Sequence, residues 1–177
     1  MVLDSLIGGG RRPERRHFYQ GDVGDSYVLE RIFDQHPDIE AIIHCAALTS
    51  VPGSVEKPYQ YYLHNVVASL RLFHNLQAHG CYRVVFSSSA SVYNAVEADV
   101  FEVWEEEILN PQSPYARTKV QVEMILTDLC AAGPLRAISL RYFNPLGADP
   151  KMRSGPQENQ VLGKLIDADA KGGVFQV

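Results

Sequence analysis

"RVVFSSS" (residues 83–89) decides the fold. Its apolar residues, Val84, Val85 and Phe86, stand in succession instead of alternating with polar ones, and the run then stops on three serines. A strand apolar on both faces belongs in a parallel sheet covered front and back. "AIIHCAA" (41–47) and "AISLRYF" (137–143) share the property. "MVLDSL" (1–6) and "HFYQGDV" (17–23) read as weaker strands, and "VFQV" (174–177) as a short further one. Helical patterns lie between them. Asp25 caps a segment carrying Val28, Leu29, Ile32 and Phe33, which Pro37 ends. From Pro58, the residues Tyr59, Leu63, Val66, Leu70, Phe73 and Leu76 form one apolar stripe that stops near Gly80. Ser113 as N-cap and Pro114 at the first position open a third helix running to about Gly133. Val161, Leu162, Leu165 and Ile166 mark a fourth, stopped by Gly172 and Gly173. Alternation of strand and helix predicts right-handed crossovers and an α/β, doubly wound parallel sheet.

Such sheets bind ligands beyond the carboxyl ends of their strands. The residues to weigh are therefore Asp4, Asp22, "AALT" (46–49), "SSSAS" (87–91) and "YFNP" (142–145). In "NPQSPYARTK" (110–119), Tyr115 and Lys119 head a stripe with Val122, Leu126 and Leu129, on the face turned to the sheet. Two readings stand. The lysine snorkels and the tyrosine sits at an interface, or the ammonium lowers the phenol's pKa from about 10 and makes a base for a sugar or alcohol hydroxyl. The serines favour the second reading, because one of them is placed to hold a substrate hydroxyl beside Tyr115. Asp4, at the end of "VLD", stands where a dinucleotide fold keeps the acid for the adenosine ribose. It favours NAD over NADP, although Arg11 and Arg12 follow closely.

Composition narrows the classes. The chain has 177 residues, 46% hydrophobic and 21% charged, with net charge −5. That suits one globular domain and argues against a nucleic-acid binder, which needs a basic face. "RRPERR" (11–16) reads as a solvated loop. No apolar run approaches the roughly 20 residues that cross a bilayer, and no signal-peptide pattern opens the chain. Cys45, Cys81 and Cys130 form no CxxC and are expected to be reduced, buried thiols of a cytoplasmic protein. The histidines form no metal-binding spacing.

Taken together, "VLDSL", "GDV", "HCAAL", "KPYQYYLHNV", "VFSSSASVY", "NPQSPYARTK" and "LRYFNPLGA" resemble the UDP-glucose 4-epimerases, a family of extended short-chain dehydrogenase/reductases. The resemblance implies a Rossmann-like NAD domain over 1–150 and the start of a substrate-binding region over 151–177. It implies an isomerase acting on a UDP-sugar. Tyr115 would take the proton of the 4-hydroxyl while C4 passes a hydride to the nicotinamide, and the 4-keto sugar would turn over and take it back. Lys119 would hold the nicotinamide ribose and Ser89 the reacting oxygen. Asp4, Asp22, Val23, Cys45, Ala46, Asn65, Ser87 and Tyr142 would line NAD, with Phe143, Asn144 and Asn159 reaching the nucleotide sugar. A homodimer through the helices from Pro58 and Ser113 is implied as well. A related dehydratase would want an acid after the serines, and "SSSAS" has none.

The match departs at both ends, and most of the family's carboxyl-terminal substrate domain is expected to be missing. The glycine-rich turn that carries a dinucleotide's pyrophosphate is missing, and "IGGGRR" (7–12) reads as a loop after the acid-bearing strand. The first strand-helix unit is therefore expected to be absent, leaving the strands at 1–6 and 17–23 unjoined to the one at 41–47. That absence is the best support for an inactive dinucleotide-binding protein, and Ser89, Tyr115 and Lys119 count against it. The expectation is a part of a longer protein that binds NAD poorly alone. Thr49 replaces a frequent lysine and Asn94 a usual glycine.

Overall fold

The computed structural model describes residues 1–7, 17–93, 103–143 and 145. The expected elements at 161–166 and 174–177, the loop at 8–16, and Asn94, Asn144 and Asn159 lie outside these. The chain divides into two units, Met1–Arg141 and Tyr142–Val177.

Among its described residues the first unit holds five strands, all paired in parallel, with helices between the second and third, the third and fourth, and the fourth and fifth. β1 (Val2–Asp4) pairs with β2 (Phe18–Gln20). β3 (Ala41–His44), β4 (Arg83–Ser87) and β5 (Arg136–Leu140) form a second sheet in the order β3-β4-β5. This is the expected Rossmann-like α/β arrangement, and the expected break is present too. β1 and β3 belong to different sheets and flank a cavity of about 520 Å³, walled by residues 1–4 and 41–46 and floored by Leu29, Ile32, Phe33, Leu72 and Leu76.

Helix α1 (Ser26–Gln35) starts where Asp25 accepts hydrogen bonds from the amides of Tyr27 and Val28, and it buries all four predicted residues. The short α2 (Val51–Glu56) is capped by Ser50. Next, α3 (Pro58–Tyr61) runs through a wide π turn (Tyr62–Val67) into α4 (Ala68–Ala78). Finally, α5 (Pro114–Ala132) begins on Ser113, whose hydroxyl accepts from the Ala116 amide. Leu29 and Phe33 of α1, Leu72, Phe73 and Leu76 of α4, and Val122 and Leu126 of α5 pack with Val84 and Phe86 of β4 into one core.

Two expectations fail. The stripe from Pro58 is the buried face only in part: Phe73 and Leu76 are buried and Val66 packs on the core, but Tyr59, Leu63 and Leu70 are exposed, and Tyr61, Asn65, Ala68, Ser69 and Leu72 are buried beside them. The predicted stripe takes three steps of three and two of four, so it drifts around a helix. The π turn, with more residues per turn, widens that drift. Among the described residues, coverage of the sheet is also one-sided. Ile43, Val85 and Ile138 are register partners in one cross-strand row, and Ile43 and Ile138 are 74% and 55% exposed. Side chains alternate between the faces of a sheet, and the core helices pack on the side of Val84 and Phe86.

Candidate functional site

The carboxyl ends of β3 and β4, the N-terminus of α5 and the π turn converge. Tyr115 and Lys119 lie one turn apart on the sheet-facing side of α5 and are 9% and 3% exposed. Placing a lysine there strips its ammonium of water, which costs more than ordinary burial unless partners replace the water. Its Nζ donates to the carbonyl of Ser87 at 2.8 Å and lies 4.9 Å over the Phe86 ring and 5.8 Å over the Tyr115 ring. Burial still dominates. It lowers the Lys119 pKa to about 8, with Cys45 and Glu123 pulling the other way.

The phenol behaves differently from the expectation. Burial raises the pKa of Tyr115, a hydrogen bond with Ser89 opposes the rise, and Tyr61 adds to it. The predicted lowering by Lys119 is not found, because desolvation of the phenolate outweighs an ammonium engaged with Ser87. The geometric half of the expectation holds: Ser89, Tyr115 and Lys119 are brought together. Ser89 also caps the short turn Ala90–Val92, accepting from the Ser91 amide.

A second depression, about 270 Å³, lies at the ends of β1 and β3. Five residues expected to line a cofactor meet there: Asp4, Asp22, Val23, Cys45 and Ala46, joined by Leu48 and His64. One oxygen of Asp4 accepts from the Leu6 amide at 2.7 Å, in a turn that holds Leu6 at φ 59°. Asp22 accepts from the Gly24 amide at 2.7 Å, and its other oxygen lies 3.7 Å from His64 Nδ1. Gly24 itself is pressed on α4, where an added Cβ would come 2.9 Å from the Ala68 Cα. Two acids beside the apolar Val23, Ala46 and Leu48 fit the adenosine half of a dinucleotide. Cys45 is exposed instead of buried as expected, because it lines this depression at the end of β3. Cys81 is buried, Cys130 is half-buried, and all three are free thiols.

Asn65, carried inward by the π turn, is 2% exposed and fully engaged. Its amide bonds the Leu48 N–H and C=O at 2.8 and 3.0 Å and donates to Thr118 at 3.1 Å, and Thr118 donates to the Tyr115 carbonyl. It ties the loop after β3 to the helix of the reactive pair. Tyr142 and Phe143 are 41% and 67% exposed and belong to the second unit.

A family model described as the NAD dependent epimerase/dehydratase family matches residues 2–176. The chain belongs to that family. Among its relatives, the UDP-glucose 4-epimerase of Neisseria gonorrhoeae is 42% identical over 153 residues, covering 84% of this chain and 44% of the relative. A crystal structure of a UDP-glucose 4-epimerase superposes with a TM-score of 0.86 at 34% identity, over 97% of this chain and 53% of the other. The UDP-glucose 4-epimerase of Brucella ovis in complex with NAD gives 0.78 at 34%, over 88% and 48%. The chain thus spans about half the length of the relatives it matches.

For a member of the NAD dependent epimerase/dehydratase family, several site residues carry weak sequence signals. His64 shows itself only as the neighbour of Asn65. His44 is buried, hydrogen-bonds Ser69 at 2.8 Å and has its pKa lowered to about 3 by burial and then by Lys119. Glu123 had the clearest signal, four residues after Lys119 on the same helical face.

Proposed function

We propose that this chain carries the catalytic half of an NAD-dependent nucleotide-sugar 4-epimerase of the UDP-glucose/UDP-galactose type, working through a transient 4-keto sugar. The observation that carries the reading is a buried tyrosine–lysine pair under a serine turn, next to a depression lined by two acids. Support for the substrate class comes from the names of the relatives, which are UDP-glucose 4-epimerases.

When bound, NAD supplies a hydride acceptor that also serves as donor. Asp4 and Asp22 would hold its adenosine end through ribose hydroxyls, and Lys119 its nicotinamide ribose. Tyr115 would hold and move the proton of the sugar 4-hydroxyl, with Ser89 orienting that oxygen. A phenol whose pKa is raised carries its own proton at neutral pH, so Tyr115 would first release that proton to solvent, and the Lys119 ammonium would favour the phenolate that then accepts the sugar's. Tyr142, Ser87, Val23, Cys45 and Ala46 belong to the proposed cofactor wall, with Asn65 behind it holding Leu48 in place, and Phe143, Asn144 and Asn159 belong to the sugar side. A dehydratase is disfavoured because residues 87–91 contain no acid, and the acid behind them, Glu123, is neutralised by Arg141.

The test uses a polypeptide of the relatives' full length that carries these 177 residues. Incubated with UDP-galactose, it should yield UDP-glucose with no net NADH. Tyr115→Phe should lower turnover by about 10²- to 10⁴-fold, and unchanged turnover would remove Tyr115 from the mechanism. We propose a homodimer as well, supported by the exposed Leu63, Val67, Leu70 and Met124 on the helices from Pro58 and Ser113. Sedimentation of that polypeptide as a monomer at micromolar concentration would refute it.

A further inference from the structure

Behind the serine turn lies a buried polar cluster whose hydrogen bonds involve none of Ser89, Tyr115 and Lys119. Glu123, 9% exposed, sits one turn beyond Lys119 on α5. Its carboxylate is gripped by Arg141, whose Nη2 donates at 2.7 Å and whose Nε donates to both oxygens at 3.1 and 3.2 Å. The hydroxyl of Ser88, 4% exposed, donates to the same carboxylate at 2.5 Å. Arg141 reaches on to the Tyr93 hydroxyl at 2.5 Å and the Glu105 carbonyl at 2.9 Å, with its guanidinium 5.0 Å from the Tyr93 ring centroid. The Glu123–Arg141 pair therefore ties together α5, the end of β4, the end of β5, Tyr93 and the backbone at Glu105.

We propose that Glu123 is a positioning residue of this site: clamped by Arg141 and bonded by Ser88, it fixes the serine turn over the ammonium of Lys119. The register makes this concrete. Ser87 gives its carbonyl to Lys119, Ser88 gives its hydroxyl to Glu123, and Ser89 is then presented to Tyr115. Three consecutive serines have three different partners, and moving the middle one moves its neighbours. A buried charge pair with well-formed bonds is weak evidence for stability but strong evidence for a specified geometry here, because four elements meet on it.

The inference rests on the proposed role of Lys119 and the serine turn, but its test needs no turnover. The groups facing Lys119 are Cys45 and His44 from β3 and its end, Ser87 and Phe86 from β4, and Tyr115 and Glu123 from its own helix. The Lys119 side chain is titrated by NMR in the 177-residue chain with ¹³C-labelled lysine, its signal identified by loss in Lys119→Met. The wild type should titrate near pH 8. Glu123→Gln should shift it down by about one pH unit, because a nearby anion is removed. Arg141→Met should shift it the opposite way, because the same anion is then left unneutralised. A contribution to packing alone would open the site to water in both variants and move both upward. An unchanged or upward shift in Glu123→Gln, or shifts of the same sign in the two variants, overturns the proposal.

Discussion

Lys119→Met should make the folded chain more stable at pH 7, although it removes a residue of the proposed machinery. An ammonium whose pKa falls from 10.5 to about 8 on folding is destabilised in its charged form. That difference corresponds to about 3 kcal/mol. Methionine carries no charge to desolvate and fits beside Phe86, but it leaves the Ser87 carbonyl without its donor. Losing that bond returns about 1 kcal/mol, so the net gain should be about 2 kcal/mol. The pH dependence gives the sharper test. Between about pH 8 and 10.5 the unfolded wild type binds more protons at this lysine than the folded one, so wild-type stability rises with pH through that window. The variant has no such gain, and its advantage should close by about pH 10.5. Urea midpoints of both proteins at pH 7, 8.5 and 10 measure it. A variant less stable than wild type at pH 7, or a difference that does not narrow on the alkaline side, refutes the reasoning.

Two further outcomes follow from the same structure. His44, neutral when folded with a pKa of about 3 against 6.5 unfolded, contributes stability that is complete above pH 6.5 and lost as pH falls toward 3. By pH 5 the loss should be about 2 kcal/mol, and His44→Gln should lack that part of the acid slope in urea melts. Calorimetry should find weak NAD binding by the 177-residue chain alone, because Asp4 and Cys45 stand on sheets that share no strand pairing. Tight stoichiometric binding would contradict this.

What the sequence made legible was set by short-range chemistry. Asp25 and Ser113 cap their helices as read, because an N-cap needs only a side-chain oxygen within three residues of the amides it serves. The stripe from Tyr115 to Leu126 faces the sheet as read, since α5 keeps a regular period. The stripe from Tyr59 held at Phe73 and Leu76 and failed at Tyr59, Leu63 and Leu70, because a π turn changes the period inside the helix and no residue in "YYLHNVV" announces it. The Tyr115 pKa went the other way because spacing shows which charges are near, whereas desolvation depends on everything packed around them. Glu123 was reachable from spacing, but its meaning needed Arg141, which arrives from the far end of another strand.

The row Ile43, Val85 and Ile138 has a practical consequence for the isolated chain. An oily ledge bordered by an unzipped strand edge makes no distinction between a chaperone, a vessel wall and a sister molecule. Colloidal behaviour of the purified material would then be governed by that ledge rather than by its net charge of −5.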